Sequence, residues 1–215
     1  MERKKSFIVK AVRILIVILY SVGIIGHSIP SLLPLMLTLT PPILLFTGLA
    51  VTILSVSKSN SKLIVWMLLT YMITFTTEAI GVKTGLIFGN YSYGDSLGLK
   101  LFSVPLLIGF NWLLIILGSI TIAQSIEKNL YTTSVLSGVF CVLFDLMLEP
   151  AAIALDYWRW DSGSIPLRNY YAWFLIAFIS SIIYGKMNIK NDNVLFRFYF
   201  LVQLLFFVIL SWILG

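Results

Sequence analysis

The 215-residue sequence has little of what metal, redox and nucleotide sites require. It contains one histidine, His27, and one cysteine, Cys141. These two residues cannot supply a multi-histidine iron site, a zinc cluster or a disulfide. The sequence also lacks a Walker A loop, so no phosphate-binding site is predicted. We therefore expect no metal and no cofactor.

Charged residues are also scarce, at 11% of the chain, whereas 59% of the residues are hydrophobic. Such a chain cannot cover a water-soluble globule with polar side chains. Apolar runs long enough to cross a bilayer occur at residues 8–29, 32–56, 63–80, 104–124, 131–154, 170–186 and 195–214. The sequence therefore predicts an all-α fold, a polytopic membrane helix bundle of about seven transmembrane helices. Without a repeat or a long linker, residues 1–215 should form a single integral membrane domain.

Two of the seven runs need comment. The first follows Arg3, Lys4 and Lys5, but it is too long for a secretory signal and no small-residue cleavage site follows it, so we expect a retained helix. Pro41 and Pro42 lie in the middle of the second run. They should break the hydrogen-bond ladder there, which leaves open whether that segment spans fully.

Basic residues are distributed unevenly across the predicted spans. Eleven of the 15 lysines and arginines fall on the side of the N-terminus, and four fall on the other side. The positive-inside rule then places the N-terminus in the cytoplasm and Gly215 outside the cell membrane. Topology thus explains the net charge of +6, and no nucleic-acid partner is indicated.

Three acidic residues lie within or at the ends of predicted helices, where a charge costs about 2.5–3.5 kcal/mol on insertion scales. Glu78 belongs to the third helix, and Asp145 and Glu149 belong to the fifth. Both helices run outward, so the three acids should converge near the outer face, with Asp145 one turn deeper. Two carboxylates that share a helix face at low dielectric seldom both ionise. We expect one to keep its proton and act as a general acid, while its ionised neighbour stabilises a cation or deprotonates water.

Two structural alternatives remain open for these acids. They could form ion pairs with Lys83, Lys100, Arg159 or Arg168 in the outer connections and so hold helices together. Pro150, which directly follows the last of the acids, predicts either a kink or the end of the fifth helix.

Two polar segments are predicted on the outer side. In the first, Gly81, Gly85 and Gly89 have the spacing of close helix packing, but further glycines continue into YSYGDSLG and favour a folded loop. The second covers residues 156–174. Aromatic residues in such loops are typical of a membrane-interface belt, yet their π faces also stabilise carbocations. The expected substrate contacts are Phe88, Tyr91, Tyr93, Trp158, Trp160, Asn169 and Trp173, with Tyr171 beside them.

Three motifs carry a family resemblance. They are Glu78-x-x-Gly81-x-x-x-Gly85-x-x-Phe88-Gly89-x-Tyr91-x-Tyr93, then Asp145-x-x-x-Glu149-Pro150, then Tyr157-Trp158-x-Trp160 with Asn169 and Trp173. Together they resemble the membrane proteins of carotenoid biosynthesis, a family that includes carotenoid 1,2-hydratases.

The resemblance implies a reaction and a substrate: cofactor-independent addition of water to the terminal double bond of an acyclic carotenoid, or of another long isoprenoid, within the lipid bilayer. We assign Glu149 as proton donor and Asp145 or Glu78 as the base that activates water, and the sequence allows these roles to be exchanged. Two alternatives remain. A lycopene-cyclase-like enzyme begins with the same protonation, and a non-enzymatic lipid or ion transporter could use the acids as a proton relay.

Overall fold

Seven helices run through the chain, and two of their connections carry short strands. The computed structural model describes residues 2–56, 60–189 and 194–214. The helices are α1 (Glu2–His27), α2 (Leu33–Ser55), α3 (Ser61–Thr84), α4 (Leu106–Ile126), α5 (Leu130–Ala154), α6 (Leu167–Lys186) and α7 (Val194–Leu214). The strands are β1 (Tyr91–Tyr93), β2 (Lys100–Leu101), β3 (Val104–Pro105) and β4 (Trp158–Trp160), and a 3-10 turn covers Asp95–Leu97. The prediction of an all-α helix bundle is confirmed.

Six of the seven helices are long and apolar enough to cross a membrane. Helix α6 is not among the six, although the sequence predicted a span at residues 170–186. It is 20 residues long, but Arg168 and Lys186 lie at its ends, and it buries two serines, Ser180 and Ser181. Because α6 packs along α5 more extensively than any other two helices pack, it is an integral part of the bundle.

The second helix continues across its two prolines. Helix α2 runs through Pro41 and Pro42 to Ser55 and is long and apolar enough to cross a membrane, so the prolines do not end this segment. A proline removes one backbone N–H and frees a carbonyl one turn earlier, a loss that membrane helices tolerate where other groups pack against it. Here the 3-10 turn Asp95–Leu97 packs against α2, and Gly98 lies next to Pro41.

The fifth helix also continues past its proline. Helix α5 extends beyond Pro150 to Ala154, so the alternative of a helix end at the proline was wrong. Instead, Ser211 Oγ of α7 accepts a hydrogen bond from Ala151 N at 3.2 Å and donates one to Met147 O at 2.7 Å. A side chain that enters the ladder in this way is a known cause of helix bending. Helix α7 therefore holds the turn of α5 beside the acids.

Hydrogen bonds between helices help to hold the bundle together. Lipid tails are as apolar as leucine, so helices in a membrane associate through packing and polar contacts rather than through the hydrophobic effect. Trp66 Nε1 of α3 donates to Ser180 O of α6 at 2.8 Å, and the hydroxyl groups of Thr47 and Tyr199 link α2 to α7 at 3.1 Å.

Two glycines shape the loop that follows α3. Gly85 has a φ of 65° and caps the helix in the left-handed conformation, which glycine adopts without steric cost. The predicted change from helix to folded loop is thus confirmed. Farther along, a Cβ atom on Gly94 would lie 2.0 Å from Asp156 O. Only glycine therefore allows the first loop to lie this close to the second.

The two loops meet at one end of the bundle. Strand β1 of the first loop pairs antiparallel with β4 of the second, so both loops lie on the same side of the membrane. Which side that is remains a prediction from the distribution of basic residues. The side chains of Arg3, Lys4 and Lys5, and all of Lys58, Lys190 and Gly215, lie outside the described residues.

Thiol labelling tests this topology. We expect a membrane-impermeant maleimide to label Ser92→Cys and Ser162→Cys in intact cells, and to label Lys128→Cys only after permeabilisation, because the first two residues are exposed on the loops and the third is exposed at the other end. The buried Cys141 should give little background. Labelling of the two loop residues from opposite sides would contradict the fold, whereas labelling of both from the cytoplasm would reverse only the orientation.

Candidate active site

The register of β1 and β4 turns four aromatic side chains toward the helices. Tyr91 lies opposite Trp160 and Tyr93 lies opposite Trp158. Successive side chains of a strand point to opposite faces, so the intervening residues, Ser92 and Arg159, are exposed. The strand pair forms an aromatic cover over the ends of α3 and α5.

The three acids lie beneath this cover and are almost completely buried. Glu78 is 3% exposed, Asp145 is 1% exposed and Glu149 is 2% exposed. Glu78 comes from α3, whereas the other two come from adjacent turns of α5. All three line one cavity, so the predicted convergence of the acids is confirmed.

Two of the three carboxyl groups each accept from a pair of aromatic donors. Tyr91 and Tyr93 both donate to Glu78 Oε2, the second at 2.8 Å. Trp158 Nε1 and Trp160 Nε1 both donate to Glu149 Oε2 at 3.0 Å.

Asn169 of α6 joins the two acids of α5. Its Nδ2 donates to Asp145 Oδ2 at 2.6 Å and to Glu149 Oε1 at 3.4 Å. Glu149 thus has three donors, whereas Asp145 has a single donor within the described residues. Asn169 was predicted as a substrate contact, but its amide is engaged in positioning both carboxyl groups.

The two tyrosine hydroxyl groups remain protonated and can always donate hydrogen bonds to Glu78. Burial and the neighbouring carboxylate of Glu78 raise the pKa of both Tyr91 and Tyr93. A raised tyrosine pKa keeps the hydroxyl protonated throughout the physiological range. Glu78 Oε2 therefore always faces two donors, and its other oxygen remains able to exchange a proton.

Ion pairing does not explain why the acids are buried. The ion pairs among the described residues are Lys100–Asp95 at 2.7 Å and Arg159–Asp156 at 2.5 Å, and both lie in the loops. Lys83 and Arg168, the other cations considered from the sequence, are exposed. Helix-to-helix ion pairing of the buried acids is thus not observed in the described part of the chain.

The cavity between the acids is small and mostly aromatic. Its volume is about 20 Å³, which is room for about one water molecule. It is lined by all ten residues predicted for the site, Glu78, Phe88, Tyr91, Tyr93, Asp145, Glu149, Trp158, Trp160, Asn169 and Trp173, and by Trp112. A water held here would lie among the carboxyl groups.

Trp112 is the lining residue that the sequence did not predict. It belongs to α4, and its ring stacks on Trp173 with centroids 3.4 Å apart and planes 18° apart. Phe88 extends the stack on Trp173 at 5.4 Å. The same span also contains Phe110 and Asn111, so nothing in its sequence sets this tryptophan apart from a core residue. Tyr171, named with the second loop, is 69% exposed and does not line the cavity.

No group of three or more His, Cys, Asp or Glu side chains is arranged as a metal site within residues 2–56, 60–189 and 194–214. The three buried carboxyl groups can themselves donate a proton, accept a proton and stabilise a cation.

Comparisons with known proteins agree with this chemistry. A family model described as carotenoid biosynthesis protein matches residues 39–214. A bisanhydrobacterioruberin hydratase from Haloarcula japonica is 26% identical over 124 residues, which cover 52% of this chain and 41% of that protein. The match thus covers less than half of the relative's length. No solved structure matches the chain.

Proposed function

This chain belongs to the carotenoid biosynthesis protein family, and on that premise we propose that it adds water across the terminal double bond of an acyclic carotenoid end group. The observation that carries the proposal is the set of three buried carboxyl groups, each held by neutral donors, around a cavity of about one water. The similarity to a relative named as a hydratase supports the same type of reaction.

The hydrogen bonds favour Glu149 as the carboxylate that stays ionised. An indole N–H can only donate, so Trp158 and Trp160 both require an acceptor at Oε2. The amide of Asn169 donates to the other oxygen. Three donors on its two oxygens stabilise the ionised form of Glu149 more than the protonated form. We assign it to stabilise the cation beside it.

Asp145 then becomes the proton donor and Glu78 the base. Asp145 has fewer donors than Glu149 to stabilise its ionised form, and its ionised neighbour favours retention of its proton. Glu78 can accept a proton on Oε1 while both tyrosines remain bound to Oε2. The sequence analysis assigned Glu149 as the proton donor but allowed the roles to be exchanged, and the present assignment gives that role to Asp145.

The reaction balances with these groups alone. Asp145 protonates the less substituted carbon of the terminal double bond, which leaves a tertiary cation on the neighbouring carbon. The water's oxygen bonds to that cation, and the water's released proton moves to Glu78. Transfer of this proton to Asp145, through the next water, restores the starting state.

Stacked aromatic rings favour the cationic step. Aromatic rings, those of Trp112 and Trp173 among them, line the cavity, and a desolvated contact between a cation and an aromatic ring stabilises the cation by about 2 kcal/mol. Ring capture of the cation by an internal double bond, as in a cyclase, would use the same contacts. The water-sized cavity beside the acids is the specific observation that favours hydration.

Product analysis tests the proposal. Expression in a host that accumulates lycopene should give a carotenoid that is more polar and heavier by one water, because the cation is captured by water. Expression of Glu78→Gln at the same level should leave lycopene unchanged. A product of unchanged mass would identify a cyclase, and untouched carotenoid with the native chain would favour a transporter.

A further inference from the structure

A large groove lies beside the acids, on the lipid-facing side of α3. It measures about 770 Å³ and is bounded by α3, the β2–β3 hairpin and the start of α4. Most of its lining is apolar, and we call it the α3 groove. The catalytic cavity, at about 20 Å³, has no room for a long hydrocarbon, so most of such a substrate must lie elsewhere.

The α3 groove adjoins the helix turn that carries Glu78. Phe75 and Val82 line the groove, and they lie three residues before and four residues after Glu78. At 100° per residue, they occupy the strip of helix surface next to the acid. One edge of the groove therefore lies next to Glu78 on α3, whereas Thr76 and Ile80 extend the groove to the side of the helix that faces away from the acid.

The hairpin on the other side of the groove is tied to the same site. Lys100 Nζ donates to Tyr93 O at 3.0 Å and to Asp95 Oδ1 at 2.7 Å. Tyr93 in turn donates to Glu78. Hydrogen bonds through Tyr93 therefore connect the hairpin to Glu78.

At the tip of the hairpin, an aromatic residue has a positive φ, a backbone conformation that is unfavourable for such a residue. Leu101 pairs with Val104, so Phe102 and Ser103 form a two-residue turn, with φ values of 52° and 65°. Asn and Gly are the residues that such a turn favours. Phe102 is nevertheless found there, 73% exposed and lining the groove. Backbone strain of this kind is typical of ligand-contacting segments.

The opposite wall of the groove includes two aromatic residues of α3. The rings of Tyr71 and Phe75 stack with centroids 5.9 Å apart and planes only 2° apart. A hydroxyl-to-carbonyl hydrogen bond from Tyr71 to Leu106, at 3.3 Å, holds the first ring in place. Parallel ring faces on one side and Phe102 on the other suit a flat, rigid, conjugated chain.

We propose that the α3 groove binds the polyene chain of the substrate, held between the Tyr71–Phe75 wall and Phe102, while the end group reacts in the neighbouring cavity. This inference rests on the proposed function, because the polyene is the occupant that a carotenoid end-group reaction supplies. Phe102 is thereby a specificity-determining residue for long conjugated substrates.

Two variants and a matched control test the groove. Thr76→Trp fills it from an exposed position of α3, and Phe102→Gly removes its aromatic cover while suiting the turn. Leu68→Trp adds the same ring at another exposed position of α3, outside the groove. Each variant is assayed with a long acyclic carotenoid and with a short acyclic isoprenoid that bears the same end group.

We expect Thr76→Trp and Phe102→Gly to raise KM for the long substrate about tenfold, equivalent to about 1.4 kcal/mol of binding, with kcat nearly unchanged. KM for the short substrate, and both constants in Leu68→Trp, should match the native values. An unchanged ratio of long-chain to short-chain KM in both groove variants would overturn the groove proposal and leave the hydratase proposal intact.

Binding measured without turnover separates the two proposals. The Glu78→Gln protein in nanodiscs should shift the absorption band of a bound acyclic carotenoid, and addition of Thr76→Trp should abolish the shift. If the native chain converts no carotenoid, the hydratase proposal fails, and this binding result alone decides the groove. If a saturated phospholipid acyl chain displaces the carotenoid as effectively as a second carotenoid does, the groove has no preference for polyenes and is a contact site for lipid.

Discussion

Replacement of Glu78 or Glu149 by glutamine is expected to lower kcat by about 10²–10⁴-fold, the usual contribution of a positioned acid or base, while the protein still inserts and purifies. The amide keeps the shape, and its oxygen can still accept from the tyrosines at residue 78 or from the indoles at residue 149. It cannot exchange a proton or carry a charge. Activity of the variants in purified membranes, normalised to protein, is the measurement.

Glu127→Gln is the matched control. Glu127 is an exposed glutamate at the other end of the bundle, where its carboxylate accepts from Lys128 N and Asn129 N. The amide oxygen can accept the same hydrogen bonds, so turnover should remain close to native. Native turnover in Glu78→Gln or Glu149→Gln would end the role assigned to that residue.

Infrared spectra of the Asp145→Asn variant test which of the three acids carries the proton. If Asp145 holds the proton, the infrared C=O stretch of a buried carboxylic acid should be present in the native protein and in Glu127→Gln, and absent in Asp145→Asn. The same band should persist in Glu149→Gln, since a neutral neighbour favours the protonated form less but leaves the acid buried. Loss of the band in Glu149→Gln alone would restore Glu149 as the proton donor.

The helices were predictable because the bilayer fixes their length. The predicted runs at 32–56, 131–154 and 195–214 correspond to α2, α5 and α7 within one residue at each end, since any span needs about 20 apolar residues. The effect of the prolines was not predictable in the same way. Whether a proline ends a helix depends on what packs beside it, and Ser211 lies 61 residues beyond Pro150 in the sequence.

The acids of the site were predictable, and their partners were not. A carboxyl group inside a span is costly, so Glu78, Asp145 and Glu149 stood out from the sequence. Which tyrosine or tryptophan binds which acid depends on the register of β1 against β4. These strands are three residues each and lie more than 60 residues apart, and such short pairings leave no reliable periodic signal.

Trp112 shows a second reason for incomplete prediction. In α4, 13 of the 21 residues are buried, so a buried tryptophan there is indistinguishable in sequence from ordinary core packing. Its relation to the site comes from the stack on Trp173, a contact between helices. The aromatic residues of the loops were predicted as site residues because both loops were expected to lie beside the buried acids.

Hydration should transfer oxygen-18 from labelled water into the carotenoid product. Membranes that contain the protein, incubated with an acyclic carotenoid in oxygen-18 water, are expected to yield a product that carries one labelled oxygen, because the hydroxyl oxygen comes from the water in the cavity. Mass spectrometry should locate the label on a tertiary alcohol, since protonation of the less substituted carbon leaves the cation on the more substituted one. The Glu78→Gln membranes are the matched control and should give no labelled product above the lipid background.

Addition of water leaves the oxidation level of the substrate as a whole unchanged, so the labelled product should also form without dioxygen, nicotinamide or added metal ions. In the proposed mechanism two carboxyl groups account for every proton that moves: Asp145 gives one to carbon, Glu78 takes one from water, and the two then re-equilibrate. An alcohol that forms only with dioxygen and carries no label from the water would place the source of the hydroxyl oxygen outside the cavity water and reject the acid–base mechanism. An unlabelled isomer of unchanged mass would instead mean that an internal double bond captures the cation, and that Glu78 returns a proton lost from carbon rather than one lost from water.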